Sequence, residues 1–393
     1  MEPNGVKRSW MDENFMLDVL RTANSSGLTI DKFDVTTALS PGNNYISEIY
    51  RVIIETSDHQ VRSVIVKCLP TAEYNLKFIA DSRLFEKETL FYSETLPAMY
   101  SVEDAHSLKL EPLAPECFYS ERDSLLLLED LNAVGFKMPD RLQGLNLDET
   151  VLAVEALARF HALSVDLPDL EELYPDTLYC GKDFEHASRY VANGVTALAA
   201  AVETWPGFCE LGLRLRETAR SAHARVVELL ESKESPVLVL NHGDFWTNNI
   251  MFRRDAATGQ PVNVRLLDFQ MLRYGSPALD LQILFNTSVK EEVRHDLRDT
   301  VLKRYHDAFT RACKRIGRES HFSLEQLHAE MERNAFFGFL NACLMLPVVL
   351  AERGQPPDLG HLASNPDAKL DCHSVSRFRK QFQRILMESR ELL

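Results

Sequence analysis

The sequence has no excess of positive charge. Its 43 lysines and arginines are outnumbered by 58 aspartates and glutamates, and the formal net charge is −15. Nucleic acid and anionic membrane surfaces call for a basic face that displaces counterions, so neither is expected as a partner. A nucleotide is not excluded, since its site needs only local cations and a metal. A basic patch followed by an apolar run is also missing at the N-terminus. Asp12, Glu13 and Asp18 interrupt the first 21 residues, so no signal or transit peptide is read there. Cysteine is sparse and unclustered: seven residues, at 68, 117, 180, 209, 313, 343 and 372, with no close pair. That spacing fits neither a disulfide frame nor a zinc site and suits reduced thiols, so a cytoplasmic location is expected. No stretch makes a convincing membrane span. Residues 335–351 (AFFGFLNACLMLPVVLA) fall short of the ~20 residues required and contain Asn341 and Pro347, so they read as a buried helix. Two glycosylation-like triplets begin at Asn24 and Asn286 and, with no secretory signal, read as chance. Repeats and low-complexity tracts are absent.

What remains is an ordinary globular composition, 45% hydrophobic and 26% charged, in a chain of 393 residues that can build two lobes. The first 130 residues read as mostly β. Strands are expected at 33–39, 46–56 and 61–69, then a helix from about 72 to 96 stopped by Pro97, then strands at 116–120 and 124–129. The loop 40–45, Ser-Pro-Gly-Asn-Asn-Tyr, has turn chemistry. Beyond Asp130 the pattern turns helical. Asn146 and Glu149 form a plausible capping box for a helix reaching Ser164, and helical periodicity recurs over 183–232. A short β region intervenes at 237–269, with strands at 237–240, 250–252 and 262–267.

Chemistry concentrates in that β region. The polar run Asn241-His-Gly-Asp-Phe-Trp-Thr-Asn-Asn249 follows a four-residue apolar strand, and Asp268 ends the next hairpin. Two carboxylates and an amide at the ends of short apolar strands can converge on one cleft. Phosphoryl transfer to a hydroxyl needs such a set. One carboxylate orients the hydroxyl and accepts its proton, for which Asp244 is suited. A hard divalent cation holding the triphosphate wants oxygen ligands, for which Asn249 and Asp268 are suited. Asp and Asn also close loops as turn formers, but that reading leaves the spacing unexplained. Lys67 lies within the apolar strand Val64-Ile-Val-Lys-Cys68 and needs a partner or a polar cleft. Glu88 offers one: at helical spacing it shares a face with Leu84, Phe85, Phe91 and Tyr92, whereas Glu86 falls on the solvated side. The bland alternative is two unrelated snorkelling charges.

These residues carry a family resemblance. The pieces are Gly42–Glu48, Lys67, Phe85-Glu-Lys-Glu88 with Phe91, Tyr92 and Pro97, Leu127–Leu131, residues 156–164 (ALARFHALS), His242–Met251, and Leu267-Asp-Phe-Gln270. The chain resembles the ecdysteroid kinase-like family of arthropods, within the wider aminoglycoside phosphotransferase and choline kinase group, over roughly residues 38 to 290. The resemblance implies an α+β, two-lobed protein-kinase-like fold. A small antiparallel-sheet N-lobe with one main helix (1–131) would precede a larger, mostly helical C-lobe (132–393), with ATP between them. Lys67 would touch the α- and β-phosphates and pair with Glu88. The loop containing Asn43, Asn44, Tyr45 and Ser47 would cover the phosphates with a single glycine rather than Gly-x-Gly-x-x-Gly. The backbone of Glu129 and Leu131 would read the adenine edge. Asp244 would be the base, Asn249 and Asp268 the Mg2+ ligands, His242 a brace for the loop, and Asp280 an acceptor for loop N–H groups. The implied partner is a small-molecule alcohol, an ecdysteroid or a related steroid or xenobiotic.

Two other readings compete. A protein kinase usually carries lysine two residues after the catalytic aspartate, where this chain has Trp246. It also needs a long activation segment, where only residues 269–279 separate Asp268 from Asp280. A catalytically inactive nucleotide- or sterol-binding protein is the other, although every expected polar position is filled. His161, in an apolar helix, reads as a satisfied core histidine. Phe336, Phe337 and Phe339 read as core.

Overall fold

A computed structural model describes residues 11–22, 29–38, 47–70, 76, 79–121, 124–181, 184–352, 365 and 370–393. Five antiparallel strands form the first sheet: β1 (Ile30–Thr37), β2 (Glu48–Thr56), β3 (Val61–Cys68), β4 (Cys117–Glu121) and β5 (Leu125–Glu129), in the order β1-β2-β3-β5-β4. Strand alternation divides its side chains between two faces. Val52, Ile54, Val64, Val66, Leu125 and Leu127 pack with Met16 of the helix Glu13–Thr22 and with Met11 just before it. Ile65, Leu126 and Leu128 turn to the other face, toward the helical part. Lys67 pairs across with Leu126 and has the parity of Ile65, so it too points at the helical part.

The expected single helix ending at Pro97 is not what forms. An α-helix, Leu84–Leu90, passes through a π-turn at Phe91–Thr95 into a second α-helix, Leu96–Ala105. In the π-turn the Leu96 N–H reaches back to the Phe91 carbonyl. Proline is tolerated in the first turn of the helix that restarts there, because that position's N–H needs no helical partner. Residues 71–75, 77 and 78 of the expected helix lie outside the described residues. The strands otherwise fall within a few residues of the expected bounds; β1 starts and ends earlier than 33–39.

The rest is mostly helical. The helix Leu147–Ser164 starts at the expected capping box: Glu149 N–H donates to Asn146 Oδ1 (3.0 Å), and Asn146 N–H to Glu149 Oε2 (2.9 Å). It packs against Arg298–Arg315 around a core that includes Phe160, Leu302, Tyr305 and Phe309. The 183–232 region resolves into Phe184–Glu203, Cys209–Thr218 and Ala222–Glu231. Residues 335–351 contain the buried helix Ala335–Val349, and Phe336, Phe337 and Phe339 lie in its core. Among the described residues no helix is long and apolar enough to cross a membrane. Asn286 is buried in a helix and its amide donates to the Gln282 carbonyl (2.8 Å), so that glycosylation-like triplet is inaccessible as folded.

Two small β units lie between helices. Strand β6 (Phe136–Lys137) pairs with β8 (Ile250–Arg254), which forms the expected hairpin with β9 (Pro261–Leu266). Strand β7 (Val239–Asn241) pairs with β10 (Arg273–Gly275).

Candidate active site

The loop 242–249 leaves β7 at a point where backbone shape is tightly dictated. Gly243 has φ +80°, and a Cβ there would collide with the Met271 carbonyl, so only glycine fits. Asp280, in the first turn of the helix Ala278–Thr287, accepts the N–H groups of His242 (2.6 Å) and Gly243 (2.8 Å). Behind it His161 is fully satisfied: Nε2 lies 3.1 Å from Asp280 Oδ2 and Nδ1 2.7 Å from the Tyr305 hydroxyl. Burial works against the Asp280 charge, but the His161 bond and the loop N–H groups outweigh it and hold this carboxyl below its ordinary value. His242 Nε2–H donates to the Leu267 carbonyl (2.9 Å), and burial pushes this imidazole down, keeping it neutral. The ring therefore ties the loop to the residue before Asp268.

Asp244 and Asn249 meet inside this loop. Asn249 Nδ2 donates to Asp244 Oδ2 (2.8 Å) and to the Asp244 carbonyl (2.9 Å), so its Oδ1 faces away from Asp244. Asp244 keeps partial exposure. Loss of hydration in the cleft, reinforced by the nearby Asp268 charge, raises its carboxyl to about 7.

Asp268 adopts a left-handed backbone (φ +64°), an unusual conformation for a non-glycine residue and one often found at functional sites. It joins the two parts of the molecule. Lys67 Nζ lies 2.7 Å from Asp268 Oδ1 and 2.5 Å from Glu88 Oε2. Glu88 Oε1 accepts the Phe269 N–H (3.3 Å). Lys67 and Glu88 are almost fully buried, while Asp268 is partly open to the cleft. Burial alone would lower the Lys67 ammonium, but the two carboxylates outweigh it and hold it above its ordinary value. Burial and the Asp268 charge, opposed by Lys67, raise Glu88 to about 7. Phe269 packs the assembly from below, stacked on Phe91 at 4.1 Å with Phe160 and His242 around it.

The structure thus brings Lys67, Glu88, Asp268, Asn249, Asp244, His242 and Asp280 into one connected group. Ser47 is buried. Asn43, Asn44 and Tyr45 lie outside the described residues. At the strand end, the Leu131 carbonyl accepts the Phe136 N–H (2.9 Å), so its own N–H is the group it can offer a base. Between Glu129 and Leu131, Asp130 is bound by Arg51 Nε (2.7 Å), Ser63 Oγ (2.7 Å) and Asn132 N–H (3.1 Å). Asp130 carries no signal of its own in the sequence; its partner Arg51 is far off along the chain and follows no local period. Lys87 and Arg273, both buried against segment 174–177, are further basic residues that sequence reasoning passed over.

Asn249 Oδ1 and Asp268 Oδ2 are hard oxygens on one side of the cleft. Among the described residues no group of three or more His, Cys, Asp or Glu could cage a metal. Two protein oxygens suit magnesium, which binds largely through phosphates and water.

A buried lysine–glutamate pair on a β-strand and helix meets an aspartate that follows a histidine-braced loop. The profile of the ecdysteroid kinase-like family matches residues 41–318. The chain belongs to that family. It is also 20% identical over 332 residues to Uncharacterized oxidoreductase dhs-27 of Caenorhabditis elegans, covering 79% of this chain and 38% of that protein. The chain therefore spans well under half the length of this curated relative. Among solved structures it is similar to choline kinase LicA from Streptococcus pneumoniae (12% identity, 95% of this chain and 99% of that chain, TM-score 0.45). It is also similar to the gentamicin complex of APH(2")-IIa (16% identity, 86% and 98% covered, TM-score 0.42).

Proposed function

We propose that the protein transfers the γ-phosphoryl group of ATP to the hydroxyl of a small-molecule alcohol, an ecdysteroid or a related steroid or xenobiotic alcohol. The observation that carries this reading is the Lys67–Glu88–Asp268 triad joined to the Asp244–Asn249 pair. We place the division between lobes at residue 131, with residues 129–131 as the hinge against the nucleobase. Lys67, fixed by Glu88, binds the α- and β-phosphates, and Asn43, Asn44, Tyr45 and Ser47 belong to the covering loop. Glu129 and Leu131 offer backbone groups to the adenine.

Asn249 and Asp268 would hold Mg2+, which supplies neutralisation of phosphate charge when bound. Asp244 orients the acceptor hydroxyl and takes its proton as the oxygen bonds to the γ-phosphorus and the bond to ADP breaks. A carboxyl raised to about 7 is a competent base near neutral pH. Asn249 steers the Asp244 carboxylate, while His242 and Asp280 hold the loop. Trp246, two residues from Asp244, is partly exposed and packs on the core containing Tyr179 and Phe337, which favours a lipophilic acceptor.

A small acceptor is favoured over a peptide by the span between Asp268 and Asp280. It is taken up by a short turn (Phe269–Met271), strand β10 and the start of the next helix. No length remains for a peptide-docking activation segment. The test is incubation with ATP and magnesium and a panel of ecdysteroids, choline and xenobiotic alcohols, read by mass spectrometry. Addition of a phosphoryl group to an alcohol supports the reading. Transfer to peptide hydroxyls alone, or sterol binding without ATP turnover, overturns it.

A further inference from the structure

We propose that Lys87 is a positioning residue that latches the Glu88-bearing helix to segment 174–177, thereby fixing the Lys67–Glu88 pair. The proposal rests on the kinase reading above.

The helix Leu84–Leu90 is short, with an uncapped start after left-handed Arg83 and a π-turn at its end. Most helical stability in proteins comes from tertiary packing, so the rotation of this helical run about its axis is set by its contacts. Successive residues diverge by about 100° around the axis. Glu88 turns toward Lys67 and Phe269, while Lys87 turns toward segment 174–177. Lys87 is 2% exposed. Its Nζ donates to the Pro175 carbonyl (2.6 Å) and Thr177 Oγ1 (2.8 Å). The Thr177 hydroxyl donates onward to the Ser82 carbonyl (2.5 Å), which closes a ring just ahead of the same helix.

Segment 174–177 is itself anchored on the Asp268 side. Asp176 pairs with Arg273 (2.6 Å), and the Tyr274 N–H donates to the Tyr174 carbonyl (3.1 Å). The Tyr174 hydroxyl meets Thr95 Oγ1 at 2.5 Å, at the last residue of the π-turn. Helix, segment and β10 therefore form a closed circuit that runs past Phe269 to Asp268. An apolar side chain at position 87 would fill the space without the desolvation that pushes this ammonium down to about 7. Two hydrogen bonds from one buried ammonium tie the helix to segment 174–177 at the rotation that brings Glu88 to Lys67.

The test compares Lys87→Met, Glu88→Gln and the double variant with wild type. Mg·ATP affinity is read by calorimetry, and the KM values for ATP and for an accepted alcohol by kinetics. Lys87→Met should weaken Mg·ATP about tenfold, the worth of a lost charge-assisted hydrogen bond, with the alcohol KM unchanged. In the Glu88→Gln background the same change should add less than about twofold, because Lys87 acts through Glu88. Thr177→Val, a milder loss of the same bond, serves if Lys87→Met does not fold. Equal effects in both backgrounds, or unchanged Mg·ATP affinity in a folded latch variant, overturn the proposal. Wild-type protein that does not bind Mg·ATP overturns the kinase reading and the latch with it.

Discussion

Removing the cation and removing one carboxylate of the Lys67–Glu88–Asp268 triad should have unequal consequences for stability. The three groups carry a net charge of minus one when ionised, and Lys67 and Glu88 are almost out of contact with water. Lys67→Met leaves Glu88 and Asp268 facing each other with no cation, taking the site to minus two. Stripping the partner from a buried charge costs about 3–5 kcal/mol. For a chain of this length that is a fall of roughly 4–6 °C in Tm, from the specific unfolding entropy of globular proteins. Glu88→Gln instead leaves a neutral Lys67–Asp268 pair at 2.7 Å. The single amide oxygen can serve Lys67 or the Phe269 N–H but not both, which leaves its NH2 against a donor, although the lost charge was already opposed by burial and Asp268, which raise Glu88 to about 7. Its cost should be about 1–2 kcal/mol, below that of Lys67→Met. Urea unfolding of the metal-free proteins measures both. Equal losses in the two variants would refute the charge reasoning, whatever happens to activity.

Further expectations follow from single positions. Gly243→Ala should lose at least about 2 kcal/mol and most turnover, because the new Cβ meets the Met271 carbonyl at a positive φ; an unchanged Tm would contradict this. Asp268→Ala should weaken metal-dependent nucleotide binding, and unchanged Mg·ATP affinity would remove Asp268 from the metal site. Lys87 faces Asp176 and Glu86 as well as Arg273 and Arg83, and burial still holds it near 7 against 10.5 when unfolded. As pH rises from 7 to 9 the folded lysine releases its proton while the unfolded one keeps it. Wild type should then gain on the order of 1–2 kcal/mol relative to Lys87→Met. Parallel pH profiles of stability for the two proteins would contradict that shift.

The parts of the fold that obey a local period were readable from the sequence. Strand alternation placed Lys67, helical spacing placed Glu88, and the polar run from His242 to Asn249 between apolar strands marked the loop. Asp268 could be joined to them because it ends the next hairpin. What could not be read were contacts without a period. Lys87 reaches Pro175 and Thr177, residues 88 and 90 positions away, and Arg51 reaches Asp130 across 79. The π-turn before Pro97 was missed because a proline in a helical pattern ordinarily marks an end.

The central claim, that Asp244 is the base of a phosphoryl transfer to an alcohol, is tested most directly by Asp244→Asn. With Mg·ATP and an accepted alcohol, turnover should fall by on the order of 10²–10⁴-fold while Mg·ATP affinity largely persists. Turnover equal to wild type would contradict it.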